Sequence, residues 1–482
     1  MLHEDLWRSD ALSLTAAIKA REVSAREVVQ AHLDRIDAVN GAVNAVVHRF
    51  DEDSLKAADR ADRAVASGEA VGPLLGVPVA IKINLDVEGQ PTDEGLPELA
   101  DNIASEDAPV VRNLRRAGAI FHARTNMPDL GMRWNTENPL HGATLNPWDP
   151  SRTPGGSSGG DGVAVATGMA PIGIGNDFGG SVRLPAAYNG VVGMRPTPGQ
   201  VPNPVETDGG MAIREFFTHG PLARTASDID LAFQSMRRHD ARDPWWVGAV
   251  PASTDPSRVI VVRNIGDQAP DPDVVAGIDA AAAALAGVGY RVEDQGYELP
   301  RLEEAAHLWR DITHTEIEMF LEDEHAAMGS DAARRWLQAS IANARIFDGR
   351  EYAKAWIRRS IIASEWSKLM GEGDLILAPV DPQLPWPRVL DSAEDLADTV
   401  ASLYARYALN FVGTLLGLAA VTLPVGVGES GLPRPVQLIG WRFNEARALA
   451  AAKAIEPDFP PPTPIDPRGS MVASDELGSS RG

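Results

Sequence analysis

RTPGGSSGGDGVAVATGMAPIGIGNDFGGSVRLPAAYNGVVGMRP, residues 152–196, sets two serine-bearing, glycine-rich segments on either side of an apolar stretch. The first is Gly155-Gly156-Ser157-Ser158-Gly159-Gly160 and the second Asp177-Phe178-Gly179-Gly180-Ser181-Val182-Arg183, with Ser157 and Ser181 24 residues apart. Glycine at this density lets the backbone reach conformations that side chains forbid, so successive N–H groups can converge on one point. Such convergence builds an oxyanion hole, in which each preorganised donor is worth about 3 to 4 kcal/mol to the transition state. Phe178, Gly179, Gly180 and Ser181 are the candidate donors.

A Gly/Ser run is ordinarily a turn or a flexible linker. A linker does not continue into Gly162-Val163-Ala164-Val165-Ala166-Thr167-Gly168 and Pro171-Ile172-Gly173-Ile174-Gly175, which read as buried elements with close backbone approach. Gly156-Ser157-Ser158-Gly159-Gly160 also matches the G-x-S-x-G nucleophile elbow, with Ser158 as nucleophile. An elbow needs a buried strand directly before it, and residues 146–154, NPWDPSRTP, form a proline-broken loop. A phosphate-binding P-loop fails too, because no Gly-Lys-Ser/Thr follows the glycines.

A nucleophilic serine needs a base. His141 is nearest in sequence among the 10 histidines, but no Asp-His-Ser signature stands out. A lysine whose pKa is lowered by burial is the other base able to work near neutrality. Lys82 lies in Gly76-Val77-Pro78-Val79-Ala80-Ile81-Lys82-Ile83-Asn84, a β-branched run of strand character. The chain has six lysines against thirty-eight arginines, and a lysine kept inside an apolar strand does what a permanently charged guanidinium cannot.

At these three positions the chain resembles the amidase signature family of serine hydrolases. Lys82 in GVPVAIK, Ser157 in GGSSGG and Ser181 in DFGGSVR match that family's lysine, its cis-peptide serine and its nucleophile. The likeness runs from Ser24-Ala25-Arg26-Glu27 and residues 38–46, through Arg124-Thr125-Asn126-Met127-Pro128 and residues 142–148, to Pro435-Val436-Gln437-Leu438-Ile439-Gly440. The resemblance implies an α/β fold, a large mixed β-sheet sandwiched between α-helical layers. It implies hydrolysis of a C–N acyl bond in a small-molecule amide or carbamate, through an acyl-enzyme, with no cofactor and no metal. In that mechanism Ser181 attacks, Ser157 relays the proton and Lys82, neutral, receives it. Ser158, Asp177 and Arg183 are assigned supporting roles, and Gln437 matches a recurring family position. The chain departs from the pattern at Ile83, where an acidic residue is usual, at Asn176, where threonine is usual, and in the loop Thr92-Asp93-Glu94-Gly95-Leu96-Pro97. The same triad serves the catalytic component of a glutamine-dependent tRNA amidotransferase, which is the alternative function. A catalytically silent binding or scaffold protein is the alternative of another class.

Composition bounds the rest. The 482 residues with 44% hydrophobic content support a sizeable core, and no internal repeat or linker splits the middle, so residues 1–466 are expected to form one domain followed by a flexible tail over 467–482. Helices are expected over 24–39, where Ser24 and Glu27 form a capping box, over 110–117, and over 273–286 after Pro272. Strands are expected over 119–123, 258–263, 374–379 and 420–425, and this alternation reads as a sheet covered on both faces. A net charge of −23 repels nucleic-acid phosphates and anionic membrane surfaces. Zero cysteines exclude disulfides, thiolate metal sites and cysteine nucleophiles. The start, Met1-Leu2-His3-Glu4-Asp5, lacks the basic, apolar pattern of a signal peptide, and no stretch reaches membrane-spanning length. A cytoplasmic monomer or homodimer is expected. His307 and His314, near Glu303, Glu304 and Glu316, read as a solvated helix face in preference to a metal site. Trp309, Met319 and Phe320 could line a substrate channel, and Met132-Arg133-Trp134 points to bulky apolar acyl or aryl groups.

Overall fold

Alternation with period two in the short apolar runs decides which layer each residue joins. In the Arg258–Val261 strand, Val259 and Val261 pack into one core with Leu375 and Leu377, while Ile260 packs into another with Ile376 and Ala378. Both faces of these strands are therefore buried, and helices cover each side. The computed structural model describes residues 3–469, apart from 70–71, 205–209, 252, 256, 267–268, 321–328, 372, 389 and 391–394.

Among the described residues eleven strands form one sheet, and Glu137–Asn138 pairs with Gly142–Ala143 in a separate two-stranded one. Across it lie, in order, Val46–Arg49, Ile120–Thr125, Pro78–Lys82, Ile172–Asp177, Thr218–Ala223, Val192–Arg195, Ala419–Val427, Pro433–Gly440, Leu375–Ala378, Arg258–Val261 and Arg291–Glu293. Pro78–Lys82 runs parallel to both of its neighbours, whereas Ile172–Asp177 runs antiparallel to Thr218–Ala223, so the sheet is mixed. Helices Pro109–Arg116, Ala226–Met236, Pro272–Gly287 and Glu445–Ile455 supply one core. On the other face, Leu302–Phe320 and Ala408–Leu416 cover one end, while Ala25–Val43 and Gly159–Ala166 cover the other. The expected α/β class, a large mixed sheet between helical layers, is what is observed.

Local signals placed these elements well. Ser24 accepts from the Glu27 N–H while Glu27 reaches back to the Ser24 N–H, closing the predicted capping box of Ala25–Val43. The Gly159–Ala166 helix lies so close to the sheet that a Cβ on Gly160 would sit 2.4 Å from the Asn126 nitrogen. Only glycine permits that approach, and it sets Ser157 beside the end of the Pro78–Lys82 strand.

The proline-rich stretch after Asp458 is tied to the core. The Ile465 N–H donates to the Ala166 carbonyl at 2.9 Å, and Arg35 binds the Ile465 carbonyl and the Asp466 carboxylate. Backbone hydrogen bonds to the core outweigh a composition that favours disorder. Of the tail expected over 467–482, residues 470–482 lie outside the described residues. No described helix is long and apolar enough to cross a membrane.

Candidate active site

Strand alternation aims Lys82. Val79 and Ile81 point into one core, so Ala80 and Lys82 share the opposite face, beneath the helix that begins at Gly159. The ammonium group is fully buried, 2.7 Å from Ser157 Oγ and 2.7 Å from Asn176 Oδ1. Asn176 Nδ2 in turn donates to Asn84 Oδ1 at 2.9 Å, which turns the Asn176 oxygen toward Lys82. Burial pulls the Lys82 pKa down from 10.5 to about 7, against the opposing pull of Asp161, Asp177 and Glu94. Asp161 accepts the Thr125 hydroxyl at 2.7 Å on one oxygen and leaves its other oxygen without a partner. Burial pushes that carboxyl up, opposed by Thr125 and Lys82. A lysine and a carboxyl both held near their neutral forms are what a buried, sparsely paired site imposes.

The two serine segments meet at this point. Gly156-Ser157 is a cis peptide. The Ser158 N–H donates to the Ser181 carbonyl at 3.1 Å, tying one segment to the other. Ser158 Oγ is turned inward, where it accepts the Asn176 N–H at 3.3 Å, and a Cβ on Gly175 would lie 2.4 Å from it. Ser158 is fully buried and absent from the cavity wall, whereas Ser157 and Ser181 both line the cavity. The elbow reading with Ser158 as nucleophile therefore has no geometric support.

Asp177 organises the Phe178–Ser181 turn. Its carboxylate accepts the Gly180 N–H at 2.9 Å and the Val182 N–H at 3.2 Å, and takes a two-pronged pair from Arg183 at 2.9 and 3.0 Å. Arg195 stands 3.6 Å away. Burial alone would raise the Asp177 pKa, yet Arg183, Arg195 and the backbone donors hold it well below the usual carboxylate range. The Gly180 N–H, one of the four expected oxyanion donors, is thus already spent on Asp177. Arg183 also binds Asn410 and Thr414, and Gln437 donates to the Pro379 carbonyl at 2.8 Å from behind the same layer. Gln437 is absent from the cavity wall, and its Oε1 is buried without a hydrogen-bond partner. Asp177→Asn leaves two buried guanidinium groups without their counter-charge and should cost about 3–5 kcal/mol of stability, read as a lowered urea midpoint with unchanged slope. An unshifted midpoint would refute this role.

The cavity over Ser181 has a volume of about 230 Å³. Its walls carry Trp134, Phe178, Phe217, Trp309, Trp336 and Tyr404. Trp309 stacks on Phe411 at 4.3 Å, and Trp134 meets Trp336 and Tyr404 edge-on at 5.8 and 5.7 Å, so these walls are braced by one another. Trp309 and Trp134 stand where the sequence placed them, but Met319 and Phe320 are exposed and are not among the described residues that line this cavity. They lie at the last turn of the Leu302–Phe320 helix, which there has left the core. His307 faces a shallow surface cleft with Glu303 and Glu304, while His314 is buried on the cavity side, bonded to the Arg310 carbonyl and Tyr404. The expected solvated helix face therefore holds at the exposed His307 and not at His314, which packing has buried about two turns further along the same helix. His141 contacts Asp93 and does not reach the cavity. Sequence reading missed Asp161, Asn84 and His219, the last a neutral imidazole beside Lys82 whose pKa burial lowers to about 3.

Known proteins share this architecture. A family model described as Amidase matches residues 27–449. An indoleacetamide hydrolase of Bradyrhizobium diazoefficiens is 40% identical over 94% of this chain and 86% of that protein. One component of the glutamyl-tRNA(Gln) amidotransferase of Moorella thermoacetica is 33% identical over 94% of this chain and 97% of its own length. The solved structure of 6-aminohexanoate cyclic dimer hydrolase with its substrate superposes with a TM-score of 0.81 at 27% identity, covering 95% of this chain and 98% of that one. With the family matched across most of its length, this chain belongs to the amidase family and is a hydrolase of amide C–N bonds.

Proposed function

We propose that Ser181, Ser157 and Lys82 hydrolyse the primary amide of an arylacetic acid or a close relative, seated among the aromatic walls of the cavity. The observation that carries the chemistry is Lys82 Nζ at 2.7 Å from Ser157 Oγ, buried and partly discharged beneath a cavity that Ser181 also lines. In the neutral amine, one N–H goes to Asn176 Oδ1 and the lone pair faces the Ser157 hydroxyl. Ser181 Oγ forms the bond to the amide carbon as its proton passes to Ser157 Oγ, and the Ser157 proton passes to Lys82. The N–H groups of Phe178, Gly179 and Ser181 receive the oxyanion, Gly180 being engaged by Asp177. The C–N bond then breaks, the proton returns through Ser157 to the leaving nitrogen, and ammonia departs. Water cleaves the acyl-enzyme by the same relay and releases the carboxylic acid. Residues through Asp466 act as one unit, a reading supported by the continuous sheet that carries Lys82 near one end and Gln437 near the other.

Size and charge support the substrate. A dry cavity of about 150 Å³ already admits benzene, so about 230 Å³ suits a substituted aromatic ring with a short acyl arm. No lysine or arginine is among the described residues that line the cavity. Free glutamine, the substrate of the amidotransferase alternative suggested by the Moorella relative, would find no cation there for its α-carboxylate.

Burying an aromatic ring contributes about 1.5–3 kcal/mol, which sets the expected discrimination. Indole-3-acetamide and phenylacetamide should show kcat/KM at least about tenfold above acetamide and glutamine, measured as ammonia release, with aryl carbamates as a further arm. Glutamine turned over faster than the aryl amides would favour the amidotransferase function instead.

A further inference from the structure

The loop at Thr92–Pro97, which departs from the family pattern, carries a second cluster of chemistry-bearing side chains away from the serines. His48 Nε2 lies 2.7 Å and His141 Nε2 3.1 Å from the same oxygen, Asp93 Oδ2. The imidazole rings stand at 89° to one another with centroids 5.1 Å apart, so both Nε2 atoms converge on one point from different directions. Three separate parts of the chain meet there: the Val46–Arg49 strand, the Asp93 loop and the turn before Gly142. The Asp93 carboxylate is fully buried and its other oxygen accepts the Gly95 N–H at 2.8 Å, which fixes its orientation. His141 is held by its own N–H to Asn138 Oδ1 at 2.7 Å, and by its carbonyl, which accepts from Asn44. The His48 and His141 side chains remain 28% and 13% exposed, so an ion can reach the point from solvent.

We propose that His48, Asp93 and His141 form a binding site for one divalent first-row transition-metal ion of the zinc, cobalt or nickel type. The three ligand atoms lie within 4.8 Å of one another. Ligands about 2.0–2.2 Å from a tetrahedral zinc ion are about 3.3–3.6 Å apart, so the Asp93 oxygen draws back from the two imidazole nitrogens, now at 2.7 and 3.1 Å, by roughly 0.2–0.9 Å. Two imidazole nitrogens with one carboxylate oxygen select such ions over Mg²⁺ and Ca²⁺, which take oxygen ligands. Binding moves the ring proton of each histidine from Nε2 to Nδ1, and water completes the coordination shell. None of the three residues lines the catalytic cavity, so the ion takes no part in amide hydrolysis. It clamps the loop instead. The Glu94 carbonyl accepts the Leu130 N–H at 3.3 Å, and Leu130 and Gly131 line the cavity, so the clamp braces one cavity wall from outside.

The test uses the full chain after chelator treatment, titrated with Co²⁺ or Zn²⁺ alone. One ion per chain is expected by calorimetry, with cobalt visible absorption of low-symmetry nitrogen–oxygen ligation and a raised melting temperature. His48→Gln and His141→Gln keep an N–H that can donate to Asp93 but replace the imidazole ligand. Each should weaken binding at least about tenfold, and the double variant should lose both the absorption and the metal-dependent rise in melting temperature, while the metal-free melting temperature and amide hydrolysis stay as in the parent. Failure of the parent to bind stoichiometrically, undiminished binding by the double variant, or an equal response to Mg²⁺ would each overturn the site and leave a hydrogen-bonded cluster.

Discussion

Ser181→Ala is expected to remove covalent labelling by a fluorophosphonate and to lower kcat by about 10⁴- to 10⁶-fold, because no other hydroxyl stands in its place. Ser157 is bonded to Lys82, and Ser158 is turned into the protein against the Asn176 backbone. The residual rate should be what binding and the oxyanion donors alone sustain. The fold should survive, since the Ser181 backbone, and not its hydroxyl, makes the contact to Ser158. Ser158→Ala is the informative companion variant. It should still take the label, whereas an elbow mechanism demands the reverse. Labelling of Ser181→Ala together with silence of Ser158→Ala would exchange the two roles.

Lys82→Ala should lower the rate of acylation by about 10²- to 10⁴-fold, the range of a positioned general base. The sign of the pH dependence follows from burial. Desolvation lowers the Lys82 pKa from 10.5 to about 7, so the neutral, proton-accepting form is populated above about pH 7 and lost below it. Activity in the parent should therefore fall about tenfold per pH unit on the acid side of neutrality. A rate flat between about pH 5 and 8 would exclude lysine as the base. Asp161 opposes the deprotonation of Lys82, so Asp161→Asn should move the acid limb to lower pH. An unmoved limb would mean that Asp161 is already uncharged when the enzyme works.

Residues 152–196 could be read because their glycines act locally. Gly160 is glycine because of what touches it, and the run of small residues around Ser157 and Ser181 records how tightly helix, strand and turn are pressed together. The capping box at Ser24 and the apolar alternation in Arg258–Val261 are equally local, which is why the helices and buried strands fell close to their expected bounds. Lys82 was legible for a different reason: an arginine-rich chain kept a lysine in an apolar strand. The apparent departure at Asn176 proves to be a direct partner of Lys82, with an amide oxygen placed as an acceptor for the amine. Nothing in its neighbours along the chain signalled that.

The amide-hydrolysing chemistry was therefore written in short-range patterns, since which backbone can bend and which side chain can lose a proton depend on residues a few places away. The substrate cavity and the His48-Asp93-His141 cluster were not. Trp134, Trp309, Trp336 and Tyr404 come from four stretches of chain and form one wall only because the sheet and its helices bring them together. His48, Asp93 and His141 lie on three segments with no common spacing, and they meet because the loop after the Pro78–Lys82 strand folds back over the sheet edge. Burial and convergence are properties of packing between distant segments, and those two quantities set both the Lys82 pKa and the shape of what the enzyme admits.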